Sequence, residues 1–330
     1  MTAPGVAGAP DAVPADNAAA DDTSGYEAPP APGGWLGDQL RVLLTGVMFL
    51  TRVPCPAWVG HDAEHLARST AWFPAIGALV GAFGALAFAA AALGLPPLVA
   101  AALSTAATVW LTGAFHEDAL ADSCDGFGGG WGKDQILAIM KDSRVGSYGV
   151  VGLALALAAK LGALAAVAGQ PDVRHLGDAA AAVSSLRAAM PAPYNVGRAA
   201  AALVAAHVLG RWSSLPLIWR LEYVRETGSK SRPFAASVTP ARLAAGTLTA
   251  AAVVVPLLGR EAAPVLLVAL LVTLVAGRYF RRVLGGITGD CLGAANQAVE
   301  LGVYLTLAWR WPAWTDWWGA WGLHLPVGGR

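Results

Sequence analysis

Seven long apolar runs dominate this sequence: residues 71–92, 96–115, 148–168, 198–219, 243–259, 262–281 and 298–311. A helix needs about 20 apolar residues to cross the roughly 30 Å hydrocarbon core of a bilayer. Six of the runs approach that length, and the last is short. Only 13% of the chain is charged, against about 25% in soluble domains. The expected fold is all-α, a polytopic transmembrane helical bundle of about seven spans. Segment 41–54 is too short and polar for a full span and reads as a re-entrant or interfacial N-terminal helix.

Span order gives a topology. The turns near 93–97 and 259–261 are tight, so each flanking pair of spans starts and ends on one side. The polar loops 116–147, 220–241 and 282–297, with the entry segment 41–70, then share one face. That face carries Arg52, Lys133, Lys141, Arg144, Arg220, Arg225, Lys230, Arg281 and Arg282. Basic residues crowd the cytoplasmic side of membrane proteins, so this face is expected to be cytoplasmic.

The ends differ from the bundle. Residues 1–40 contain no Lys or Arg but carry Asp11, Asp16, Asp21, Asp22, Glu27 and Asp38. They read as a disordered acidic tail rich in Ala and Pro. The membrane-embedded region is placed at 41–311. Residues 312–330 form a Trp-rich tail, and Trp309, Trp311, Trp314, Trp317, Trp318 and Trp321 read as an interfacial anchor in the lipid bilayer. Three widely spaced cysteines, Cys55, Cys124 and Cys291, read as reduced packing residues. A net charge of +0 and the lack of a basic stripe argue for no nucleic acid.

The chemistry concentrates in 112–149. Asp118, Asp122 and Asp125 stand at i, i+4 and i+7, within about 60° of one another on a helix. Three carboxylates on one face repel unless a cation lies between them. Mg²⁺ binds carboxylates together with substrate phosphates, so the cluster reads as a metal and diphosphate site; a solvated helix end is the alternative. The glycines 126 and 128–130 are expected to break the helix into an adaptable loop. Asp142, Ser143 and Arg144 follow, and Arg144 suits a phosphate or a plain anchor at the membrane face. His116 suits proton transfer, although a regular helix points it away from the aspartates.

Two cations lie deep in apolar runs: Lys160 in 148–168 and Arg211 in 198–219. Charges at such depth face a bundle interior or polar cavity, as functional groups or as a buried ion pair. A second polar group spans 285–300. Asp290 follows Thr288 and Gly289 at a helix start, and Asn296 and Glu300 share a face at i, i+4.

These pieces resemble the cobalamin synthase family, also called adenosylcobinamide-GDP ribazoletransferase. The matching segments are FLTRVPCP (49–56), WFPAIGALVGA (72–82), TGAFHEDALADSCDG (112–126), IMKDSRVGSYG (139–149), Lys160, GRWSS (210–214), YVRETG (223–228) and GGITGDCLGAANQAVE (285–300). They occur in family order over about 45–310. Where the family usually has H-x-D-G-L-A-D, this chain has Ala119 for the glycine and an added Glu117, and 171–195 reads as an insertion.

The resemblance implies a multi-pass inner-membrane enzyme requiring Mg²⁺. Its substrates would be adenosylcobinamide-GDP and α-ribazole or its 5′-phosphate, and its products adenosylcobalamin or its phosphate and GMP. Catalysis falls to His116, Asp122, Arg144 and Lys160, and the metal to Asp118, Asp122 and Asp125. Substrate contacts fall to Arg52, Asp142, Ser143, Arg211, Glu226, Thr288, Asp290, Asn296 and Glu300. A homo-oligomer is left open. Two other classes compete. A CDP-alcohol phosphotransferase-like lipid enzyme would show D-G-x-x-A-R with following aspartates, which is absent. A transporter would hold its polar residues near the midplane, whereas most here lie at one face.

Overall fold

The computed structural model describes residues 33–170, 194–224 and 237–309. The expected insertion, most of the acidic tail, Glu226 and the Trp-rich tail therefore lie mainly or wholly outside the described residues. Within them the fold is all-α, with one isolated bridge between Tyr223 and Ile287.

Helix starts follow local capping rules. Asp62 accepts the amides of Glu64 and His65 to start α2 (Ala63–Ser69). Pro74 and Pro97 sit in the first turns of α3 (Phe73–Ala91) and α4 (Pro97–Thr112), where no amide partner is needed. The Asn195 side chain caps α8 (Val196–Arg220), Thr239 caps α9 (Pro240–Leu258) and Thr288 caps α11 (Gly289–Ala308). The other long elements are α1 (Gly34–Leu50), α5 (Phe115–Gly129), α7 (Ser147–Ala168) and α10 (Ala262–Leu284), with a short α6 (Lys133–Ile139).

Helix α1 begins at Gly34, earlier than the composition boundary at 40. An ion pair between Asp38 and Arg68 ties its first turns to α2. Helix α11 begins nine residues before the expected run at 298, because polar residues of its first half face protein rather than lipid. By length and apolarity, four stretches qualify as membrane spans, and a bent α4–α5 pair makes a fifth. One stretch is the 45-residue α9–α10 run. Straight, it would reach about 68 Å, more than twice a bilayer core. It turns back at Gly259, whose φ is 56°. The apex residue Glu261 pairs with Arg198 at the start of α8. Gly246 and Gly277, on the two arms, approach Leu215 and Leu217 near its end.

Helix α8 is the mast: 83% of its apolar window is buried, against 22% in α7. Its alanines let neighbours come close, the usual device where lipid gives no hydrophobic drive. A Cβ on Gly77 of α3 would lie 2.3 Å from the His207 carbonyl, and one on Gly81 would lie 2.6 Å from the Val204 Cα. These pairs run α3 antiparallel to α8. Arg198 donates to the Leu307 carbonyl while Gly210 lies against Asn296, so α11 is antiparallel too. The loops after α1, α5, α8 and α10 thus gather at one end.

One elbow breaks the up-and-down pattern. Between α4 and α5 the chain bends by 92°, through Gly113 (φ 70°) and Ala114 (φ 59°). Left-handed geometry costs a non-glycine residue about 1 kcal/mol. The bend turns α5 against α7 and α11 at the end where the polar loops meet.

Gly77→Ala should force α3 and α8 apart and destabilise the protein by roughly 1–3 kcal/mol. Thermal unfolding in detergent checks this. Gly94→Ala, which meets nothing within 4 Å, should leave the midpoint unchanged.

Candidate active site

The site is built on α5, α7, α8 and α11. Its centre is Glu300, 1% exposed on α11. One carboxylate oxygen accepts from Lys160 Nζ of α7 at 2.6 Å. The other accepts from Arg211 Nη1 of α8 at 3.1 Å, and His207 Nδ1 lies 2.8 Å away. Arg211 Nη1 also lies 3.1 Å from His207 Nδ1. Lys160 also donates to Gln297 at 3.1 Å, and Gln297 donates to Glu117 at 3.1 Å. Four helices are therefore joined by one buried polar chain of two cations and two carboxylates.

Lys160 and Arg211, read from sequence as separate deep charges, meet on the same carboxylate. Asn296 shares the Glu300 face as expected. Both lie against Gly210, where a Cβ would meet Glu300 Cγ at 2.8 Å. The Asn296 amide is 1% exposed and has no hydrogen-bond partner among the described residues. His207, Gln297 and Glu117 complete the chain and were not among the predicted site residues. The signals existed: His207 stands one turn before Arg211 in an apolar span, and Gln297 lies within the polar 285–300 stretch.

The three aspartates divide. Asp125 accepts the Gly146 amide at 2.7 Å and the Gly149 amide at 2.8 Å. It caps the first turn of α7 across 21 residues of sequence. A Cβ at either glycine would come within 2.4 Å of this carboxylate, which explains the two glycines in RVGSYG. Asp118 is exposed and Asp122 half-buried, one turn apart on α5. Among the described residues no three His, Cys, Asp or Glu side chains gather closely enough to hold a metal ion. Asp125, the third carboxylate of the set read from spacing, thus also serves as the cap of α7. Magnesium commonly takes one or two carboxylates plus substrate phosphates, and Asp118 with Asp122 fits that need.

The glycine run does not break the helix where expected. Helix α5 continues to Gly129. Gly126 and Gly128 are sites of close packing, where a Cβ would lie 2.6 Å from Met140 and from Tyr148.

The remaining residues take their places around this end. Arg144 forms a bidentate pair with Asp142, Nη2 to Oδ2 at 2.6 Å, the guanidinium exposed and the carboxylate half-buried. That hydrogen-bonded partner lowers the Asp142 carboxyl to about 2, and Ser143 lies exposed between them. Arg52 donates its amide to the Leu111 carbonyl at 2.7 Å, and its guanidinium packs against the Gly113 elbow. Thr288 is the cap of α11 and Asp290 lies in that helix's first turn. His116 is buried and lines a cleft with Arg211.

Fold and site together define an α-helical membrane protein with its polar, chemistry-bearing loops gathered at one end. The sequence profile described as cobalamin-5-phosphate synthase matches residues 42–308. This chain belongs to that family. A curated relative from Polaromonas naphthalenivorans is 40% identical over 285 residues, covering 82% of this chain and 98% of the relative. Another from Ralstonia nicotianae is 41% identical over 279 residues, 83% of this chain and 97% of the relative. Both are named adenosylcobinamide-GDP ribazoletransferase. No solved structure matches the chain.

Two substitutions separate roles within the site. Glu300→Ala leaves Lys160 and Arg211 buried without their carboxylate and should cost about 3–5 kcal/mol, read as a lowered unfolding midpoint. Asp125→Ala frees two amides of α7 and should cost about 1–2 kcal/mol. That loss should persist in EDTA, where a purely metal-binding aspartate would show none.

Proposed function

We propose that this chain is the transferase that joins adenosylcobinamide-GDP to α-ribazole, or its 5′-phosphate, releasing GMP. The observation that carries the reading is the convergence of segments 112–126, 139–149 and 285–300 at one end of the bundle, where α5, α7 and α11 pack together. These are the segments that carry the family likeness. The relatives' names supply the substrates. The excess of basic residues at this end supports a cytoplasmic active-site face on a bacterial inner membrane.

The chemistry assigned to the residues is as follows. Asp118 and Asp122 would hold Mg²⁺, which when bound offsets charge on the diphosphate and on the departing GMP. Arg144 exchanges its Asp142 partner for a substrate phosphate, since a guanidinium fork fits either group. A ribose hydroxyl that α-ribazole and its 5′-phosphate both leave free bonds through its oxygen to the cobinamide-linked phosphorus, and the bond from that phosphorus to the GMP oxygen breaks. The hydroxyl proton passes to the Asp122 carboxylate. Lys160, Arg211 and Glu300 fix the floor of the site, and their mutual pairing keeps α7, α8 and α11 in register. Arg52 and Ser143 would meet the substrates from the loops at this end and Asp290 from the first turn of α11, Thr288 being fully buried as that helix's cap, and Glu226 is assigned there by its motif alone.

Asp122→Ala, purified in detergent and supplied with both substrates and Mg²⁺, should release GMP on the order of 100-fold more slowly than the parent. Near-parental turnover in a direct GMP assay would sink the assignment of this carboxylate.

A further inference from the structure

Helix α10 presents two unlike faces. Its inner face, with Val265, Ala269, Thr273, Gly277, Phe280 and Leu284, is buried against the bundle. On its outer face Leu267, Leu271 and Leu274 are each about half exposed. Arg278, Arg281 and Arg282 continue that outer stripe, all three exposed. These six outer positions fall within about 100° of arc on a helix. The apolar part of the stripe faces lipid, so the arginines mark where α10 leaves the hydrocarbon core. Arg278 lies about 6 Å beyond Leu274 along the helix axis and Arg282 about 12 Å beyond it. The headgroup layer is roughly 5–8 Å deep on each side of a bilayer, and arginine stems bend back along apolar surface to keep their heads at that depth. Tyr279 and Trp219, the latter at the end of α8, are 45% and 44% exposed beside them, as aromatic side chains are at membrane interfaces. Helix α8 meets α10 here through Leu217 and Gly277, and Arg220 stacks over Trp219 at 5.4 Å, adding a fourth cation. Arg68, Arg144, Arg198 and Arg211 each meet a carboxylate. Among the described residues Arg278, Arg281 and Arg282 meet none.

We infer that this face of α10 binds the headgroup of an anionic phospholipid, with Arg278, Arg281 and Arg282 donating to its phosphate and offsetting its net charge. A guanidinium fork matches phosphate oxygens two at a time. A zwitterionic headgroup brings its own cation and leaves this cluster uncompensated. A soluble anion meets the arginines but not the leucine stripe below them, whereas a phospholipid covers both with one molecule. The site adjoins the end of the bundle that carries the polar loops. The Gly285 amide donates to the Arg281 carbonyl at 3.1 Å, and the Ile287 amide donates to the Glu222 carbonyl at 2.8 Å, just ahead of the Thr288 cap of α11. The lipid thus holds the turn between α10 and α11 from outside, while Glu300 holds α11 from inside. This role goes beyond the transferase reading and does not depend on it.

The test uses the full-length protein in a neutral detergent and reads the thermal unfolding midpoint as lipid is titrated into the micelles. Phosphatidylglycerol should raise the midpoint by about 2–4 °C at saturation. Phosphatidylcholine, and inorganic phosphate at the same concentration, should leave it unchanged. Arg278→Gln combined with Arg281→Gln should raise the phosphatidylglycerol fraction needed for half the effect more than about tenfold, at roughly fivefold per cation. Arg282→Gln, a single exposed change that threatens folding least, should raise it about fivefold. Lys133→Gln combined with Lys141→Gln removes the same charge from α6 and the turn after it, off the lipid-facing stripe, and should raise it less than about twofold. Equal stabilisation by phosphatidylcholine or by phosphate alone, no effect of phosphatidylglycerol, unchanged binding in the arginine variants, or an equal loss in the lysine pair would each overturn the inference.

Discussion

The Glu300 carboxylate is the interaction on which the arrangement of this end depends. It lies within an apolar bundle, where an unpaired charge is far too costly to keep. Lys160, His207 and Arg211 come to it from α7 and α8, and each would be equally costly alone. Every member therefore has one low-energy arrangement, the one in which all are together. Buried ion pairs of this kind do not add much stability over well-packed apolar residues. What they add here is register: a sliding of α11 by one turn would strand four ionisable groups.

Two further constraints carry that register outward to the substrate-facing loops. Asp125 takes the free amides at the start of α7, so α5 is fastened to the helix that also brings Lys160. The left-handed pair Gly113–Ala114 turns α5 across the bundle end. Without that turn, α5 would continue along the direction of α4 and move Asp118 and Asp122 away from α11. The glycines around Asp125 and Gly210 serve this close fit by removing the Cβ atoms that would strike carboxylates or amides.

Much of this was legible from residues alone. Apolar runs of near-bilayer length located the long helices to within a few residues at most ends, because lipid forces backbone hydrogen bonds to close locally. The deep Lys160 and Arg211 marked the polar interior, since solvation cost leaves such residues no other place. Spacing on a helix also placed Asn296 and Glu300 on one face. Helix periodicity did not reveal the capping role of Asp125, whose carboxylate accepts backbone amides far away in sequence. It failed for the glycine run as well, since close packing against Met140 and Tyr148 outweighs the low helix propensity of glycine.

The sequence by itself determined that the chain is a helical membrane protein, which end carries the polar loops, and to which family it belongs. Those follow from local hydropathy, span order and motif order, all of which are written along the chain. Only the tertiary structure decided that Lys160, His207 and Arg211 share one carboxylate, that Asp125 alone of the three aspartates caps α7, and that three phenylalanines from separate helices wall one cleft. Each of these joins residues distant in sequence. Such pairings are set by which buried charges and free amides must be satisfied at once, a condition no single segment contains.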